Sequence, residues 1–310
     1  MSLKKLYIGS ICFRDLEIFE EIRLFLKLNY NIKVINLIPY KGLKKGQFDL
    51  KYFCKKLKKY PILFIIVKVF SEEANEQIYR ALREFAPKIP LLNSLQAVQT
   101  CESRKATFKL IEEKCKKINV PRTFYSIEEA LKACKKGTDI IIKLDVHNIP
   151  NLPRENRIIG IARNPCEFNN LVKKHDPGTL FFQEYLPKAT LIYKVYVIDR
   201  WIVSITAQDI MRDEKLTPLK LIHIRVPIDK ELKRRILKLG RKFGMSIYGI
   251  DYISDEEGVP CIIDVNDFPS FRYIPEAISL ISDYIYEYLN ARQKITGKMP
   301  MYLKSRTYTA

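Results

Sequence analysis

No two cysteines stand at C-x-x-C spacing in this chain of 310 residues, and its seven cysteines, at positions 12, 54, 101, 115, 134, 166 and 261, are an odd number. Both facts argue against a disulfide framework and against a zinc site, leaving the thiols as small reduced apolar fillers. Long hydrophobic runs are missing as well: the longest, Pro61 to Val67, stops at Lys68, far short of the ~20 apolar residues of a membrane span. The opening residues MSLKKLYIGS lack the apolar core and cleavage site of a secretory signal, so a cytoplasmic location without a membrane partner is expected. Glycine is scarce, and no G-x-G-x-x-G follows the first apolar run, so the dinucleotide fingerprint is absent.

Acidic residues are in deficit, 35 against 54 Lys and Arg, for a net charge of +19. The excess gathers in two runs, with eight lysines from Lys41 to Lys59 and seven Lys or Arg from Lys230 to Lys242. Such charge favours anionic partners: nucleotides, polyphosphates, nucleic acid. In the second run Leu232, Ile236, Leu239 and Phe243 keep a helical stripe, so its charges read as the outer face of an ordinary helix. With no RNP-type aromatic-basic run and no helix-turn-helix signature, nucleic acid is the least favoured of these partners.

A hydrophobic content of 47% over this length supports a globular chain of two or three lobes. Up to Leu92, short apolar strands (LYIGSI, IKVINLI, PILFIIV, IPLLN) alternate with helical stretches at Leu16 to Leu28, Leu50 to Leu57 and Glu72 to Phe85. That alternation predicts a parallel sheet with helices on its faces. Farther on, Tyr248 to Arg272 reads YGIDYISDEEGVPCIIDVNDFPSFR, two apolar runs around an acidic turn that ends in Gly258. With Glu257 and Gly258 as a two-residue turn, Asp251 falls opposite Asp264, whereas a four-residue turn shifts the pairing by two and keeps both on one face; Asn266 shares the face of Asp264. Two carboxylates and an amide oxygen set among isoleucines are costly without a cation, and hard oxygen donors of this kind suit Mg²⁺ held together with substrate phosphates.

The GID, DVN and FPSF segments resemble the metal-binding hairpin of the ATP-grasp superfamily, and the resemblance extends over most of the chain. It implies an α/β ATP-grasp fold, in which an N-terminal parallel-sheet domain, a lid and a C-terminal α+β domain enclose the nucleotide. The corresponding stretches are 1–95 for the N-terminal domain, 96–120 for a connecting helix, 121–185 for the lid, 186–292 for the C-terminal subdomain and 293–310 for a basic tail. By the resemblance, Asp251, Asp264 and Asn266 bind Mg²⁺ that bridges the phosphates of ATP. Arg104 and Lys143 contact those phosphates, and Gln183, Glu184, Tyr185 and Leu186 form the adenine hinge. Lys194, in LIYKVYVIDRWIV, serves nucleotide and catalysis, with Arg272 as a second catalytic candidate. Arg14, His147, Arg212 and Ser270 are the candidates for holding an anionic small-molecule substrate.

Within the superfamily, Asp at 264, Lys at 194 and the Phe268-Pro269 pair are more similar to inositol trisphosphate 5/6-kinases than to glutamate-adding ligases. The expected function is therefore Mg-ATP-dependent phosphorylation of an anionic polyol or inositol-phosphate-like molecule. Carboxylate-amine ligation through an acyl phosphate is the alternative, and a nucleic-acid-binding role for the basic surface is the third. A homodimer is compatible with either enzyme.

Overall fold

Runs of β-branched and aromatic residues bounded by Gly, Pro or Asn set the strands, and caps set the helices between them. The computed structural model describes residues 5–39, 48–72, 75–146, 149–150, 152, 155–186, 191–208, 223–255 and 257–295. The first lobe runs β1 (Leu6–Cys12), α1 (Leu16–Tyr30), β2 (Ile32–Asn36), α2 (Leu50–Lys59), β3 (Ile62–Lys68), α3 (Asn75–Phe85) and β4 (Leu91–Leu92). Its sheet is parallel throughout in the order β2-β1-β3-β4, as the strand and helix alternation predicts.

Two helices, α4 (Leu95–Glu102) and α5 (Arg104–Lys114), carry the chain across, where a single connecting helix was expected. The break falls at Ser103, whose hydroxyl accepts from the Ala106 N–H and so starts the second helix. The next lobe contains β5 (Thr123–Phe124), α6 (Ile127–Cys134), β6 (Ile140–Leu144), β7 (Ile158–Ala162), α7 (Pro165–Val172) and β8 (Leu180–Glu184). These strands form an antiparallel sheet in the order β5-β8-β6-β7 over a core of their own, in which Ile140, Ile142, Phe168 and Phe182 are buried.

The last lobe is a second antiparallel sheet, ordered β11-β10-β9-β12-β13. It comprises β9 (Leu191–Ile198), β10 (Trp201–Gln208), β11 (Arg225–Val226), β12 (Ile247–Ser254) and β13 (Pro260–Asp267), with helices α8 (Lys230–Phe243) and α9 (Ala277–Ile295). The stretch LIYKVYVIDRWIV is thus a hairpin of two strands that turns at Asp199, where φ is 52°. In α8 the stripe Ile236, Leu239 and Phe243 is buried and Gly244, at φ 75°, ends the helix in the left-handed conformation glycine favours.

One face of this sheet, with Val195, Val197, Ile250 and Val265, packs beneath α4, α5 and α8. The other face, with Tyr196, Ile198 and Ile247, shares a core with α1, α9 and the first sheet. Helix α9 lies between the two lobes, and its contact with α1 joins them. Among the described residues no helix is long and apolar enough to cross a membrane.

Candidate active site

The hairpin of β12 and β13 places its acids as the sequence predicts, by a different route. Asp251 does pair with Asp264. The expected two-residue turn at Glu257 and Gly258 is absent, because the ladder starts with Ser254 opposite Pro260 and the connection spans 255–259. A β-bulge between Asp251 and Tyr252 then shifts the register and brings the two carboxylates opposite each other.

Across the sheet, Ile205, Lys194, Asp251 and Asp264 form one row on β10, β9, β12 and β13. Farther along the same face, Tyr196, Ile198 and Ile247 belong to the core, so the charged row sits at the margin of the apolar face. Lys194 is 8% exposed, and its Nζ lies 3.0 Å from Asp251 Oδ2. Lys194 therefore has a carboxylate partner in the protein, which offsets the cost of burying its charge. Asn266 Nδ2 donates to Asp264 Oδ2 at 3.4 Å. Gly249, opposite Asn266, lets Pro269 close over the sheet: a Cβ there would stand 3.1 Å from Pro269 Cγ.

Arg104, at the start of α5, ties the row to the lid strand. It is buried, with Nε 3.8 Å from Asp264 Oδ1, and its Nη1 donates to the carbonyls of Leu144 and Val146. Asp145 reinforces that joint by accepting from Ser103 Oγ and from the Lys105 N–H, each at 2.7 Å. On β6, Lys143 projects from the face opposite the lid's own core and donates 3.1 Å to Gln183 Oε1 on β8. Gln183 is 1% exposed, and its Nε2 has no hydrogen-bond partner among the described residues. The backbone N–H groups of Glu184 and Tyr185 donate to Arg122 O and Asp139 O, so neither is available to a nucleotide edge. Leu186 follows directly after them.

The N-terminal lobe closes the other side. Arg14, a candidate for holding an anionic substrate, is 7% exposed and donates from Nη2 to the backbone oxygen and carboxylate of Asp267, at 3.3 and 3.4 Å. Lys68, which ends the most apolar strand, pairs with Asp15 Oδ2 at 3.1 Å and donates to Pro269 O at 3.1 Å. Burial lowers its ammonium from the ordinary value and Asp15 opposes the shift. Arg272 does not reach toward the acids: it lies half out in solvent, 3.2 Å from Asp15 and bonded to Glu17. Ser270 is half-buried in the same loop. In that loop Phe268 and Phe271 have φ of 40° and 57°, a left-handed geometry that costs about 1–2 kcal/mol per residue. The clamp of Arg14 and Lys68 on Asp267 and Pro269 offsets it. His147 and Arg212 lie outside the described residues.

Sequence reasoning did not single out the ion-pair partners Asp15, Lys68 and Asp267, which the fold brings beside the hairpin. Only Lys68 left a trace, as a lysine closing an otherwise apolar strand. The cysteines are free, and burial lifts the Cys12 thiol to about 11, in keeping with an inert filler. Among the described residues no three His, Cys, Asp or Glu gather as a metal centre, so a cation here needs the Asn266 oxygen and outside ligands in addition to the two carboxylates.

No protein-family model and no curated protein matches the chain. Solved structures do match over nearly its full length. The D-alanine–D-alanine ligase from Bacillus anthracis complexed with ATP is 14% identical with a TM-score of 0.65, covering 94% of this chain and 100% of its own. A RiPP-associated ATP-grasp ligase from Chryseobacterium gregarium, in complex with ADP and a leader and core peptide, is 13% identical with a TM-score of 0.62, covering 93% and 97%. A RimK domain ATP-grasp protein from Sphaerobacter thermophilus is 13% identical with a TM-score of 0.61, covering 91% and 99%. With its three sheets, its hairpin and these likenesses, the chain has the ATP-grasp fold.

Proposed function

We propose that the protein is an Mg²⁺- and ATP-dependent enzyme that activates an acceptor oxygen by γ-phosphoryl transfer, with carboxylate-amine ligation as the outcome. The observation that carries it is the row Lys194, Asp251 and Asp264, joined through Arg104 to the lid strand that bears Lys143. Asp251, Asp264 and the Asn266 oxygen suit Mg²⁺, because two carboxylates and an amide leave room for phosphate and water ligands. When bound, the cation supplies neutralisation of charge on the phosphate oxygens.

The chain's own residues supply the rest. Gln183 holds the Lys143 ammonium in place to meet phosphate, and the spare Gln183 amide donor suits a nucleotide acceptor atom. Glu184, Tyr185 and Leu186 line the adenine end, their contribution coming from groups other than the two engaged N–H donors. Arg104 keeps lid and hairpin at a set distance, and Lys194 holds Asp251 in register. Because phosphoryl transfer depends on positioning and electrostatics, no strong base is required of the protein.

Ligation is favoured over phosphorylation by the solved structures that share the fold, two of the three named above being ligases by name. The second reading, a kinase for an anionic polyol or inositol-phosphate-like molecule, is supported by the resemblance of Lys194, Asp264 and the Phe268-Pro269 pair to inositol trisphosphate 5/6-kinases. Gamma-labelled ATP distinguishes them. Ligation requires an amine and releases one labelled phosphate per bond formed. Label retained on a polyol in the absence of amine would establish the kinase instead.

A further inference from the structure

The charge of the whole chain and the charge around the hairpin point in opposite directions. The chain carries +19, yet Arg14, Lys68, Arg104, Lys194 and Arg272 each meet a carboxylate: Asp267, Asp15, Asp264, Asp251 and Glu17 respectively. A polyphosphate acceptor held here in addition to the nucleotide would have to draw these cations away from partners that already neutralise them, several of them buried.

Beside the pairs stands a carboxylate that forms no ion pair among the described residues. Glu102, the last residue of α4, is half-buried at the seam of α3, α4 and the end of β13. Its Oε1 accepts from Tyr79 Oη and, at 2.7 Å, from Asn75 Nδ2, both buried on α3. Both donors fall on one oxygen, and Oε2 has no hydrogen bond among the described residues. The carboxylate feels the charges of Asp267 and Arg14, and its neighbour Cys101 feels those of Asp264 and Asp267, so Glu102 borders the acids of the hairpin. Burial raises it above the ordinary carboxylate range, as expected of an acid that lacks a cation.

We propose that Glu102 anchors the ammonium group of an amine-bearing acceptor, so that the second substrate is a primary amine and not a polyphosphate. This deepens the reading of the protein as an ATP-dependent transfer enzyme and rests on it. Tyr79 and Asn75 orient the carboxylate, and Oε2 is the atom offered to the amine.

The test uses the full chain, Mg²⁺ and a non-hydrolysable ATP analogue in calorimetry. Binding of the analogue reports on the nucleotide site alone, so its failure would sink the proposed function and not merely the role of Glu102. With the analogue bound, glycine, L-lysine, putrescine, tyramine and inositol hexakisphosphate are titrated in turn. At least one amine is expected to bind only when the analogue is present, and Glu102→Gln should weaken it about tenfold or more while the analogue binds as before. Gln keeps the acceptor for Tyr79 and Asn75, so the fold is retained. The inference is overturned if the amine binds Glu102→Gln as tightly as the parent. It is equally overturned if no amine binds while the analogue does, or if only the hexakisphosphate shows analogue-dependent binding.

Discussion

Asp251 stands opposite Asp264 because two departures from a regular hairpin compensate each other. From the turn, Ser254 pairs with Pro260 and Tyr252 with Ile262. Carried on unbroken, that register would set Asp251 against Ile263 and turn Asp264 onto the face of Ile250, into the core beneath α5 and α8. The bulge adds one residue, and the acid emerges beside its partner.

If this pairing makes the metal site, Asp264→Ala should abolish Mg²⁺-dependent nucleotide binding, and with it turnover, while the apo protein stays folded, since the change also removes a carboxylate facing Asp251. Calorimetric titration of Mg-ADP, with circular dichroism on the same sample, checks both halves. Parent-like binding would take Asp264 out of the site.

Lys143 is buried and donates to the neutral Gln183 amide. Losing its charge-assisted contact in Lys143→Met should weaken nucleotide binding by about 1.5–3 kcal/mol, roughly ten- to a hundredfold. Unchanged ATP affinity would reassign Lys143 to a purely structural role.

Asp15 is the carboxylate partner of a lysine that is 1% exposed. Asp15→Ala leaves that charge buried and places Ala at φ 49°, so a loss of about 3 kcal/mol or more in urea unfolding is expected. Asp15→Asn, which tolerates the left-handed conformation and still offers an oxygen, should lose distinctly less. Equal losses in the two variants would show that Asp15 supplies its charge alone, with neither the acceptor oxygen nor the left-handed backbone contributing.

The pH dependence at Glu102 has a definite sign. Burial raises its folded-state pKa, so its stabilising contribution is complete below the ordinary glutamate value and disappears as pH rises through the raised one. Glu102→Gln should therefore be more stable than the parent at neutral pH, with the gap narrowing as the solution is acidified. Urea midpoints measured across that range decide it, and a parent more stable at neutral pH would contradict the burial.

Much of the fold was legible because its signals are local. The alternation of Ile-rich strands with capped helices up to Leu92, the stripe of Ile236, Leu239 and Phe243, and the paired runs around Gly258 depend on periods of two and 3.6 residues that a sequence displays directly. The pairing of Asp251 with Asp264 on the face that Asn266 shares was legible in this way. What only the tertiary structure decided was the company each charge keeps. Arg14 meets Asp267 across 253 positions and Lys68 meets Pro269 across 201. Lys194 finds Asp251 on a neighbouring strand 57 positions away. A buried ion pair is made by the packing of sheets against one another, and no periodicity along the chain records which strand ends will meet. The bulge that rescues Asp264 is of the same kind: one residue's irregularity, set by how two strands twist together, decided which face of the sheet the acid would take.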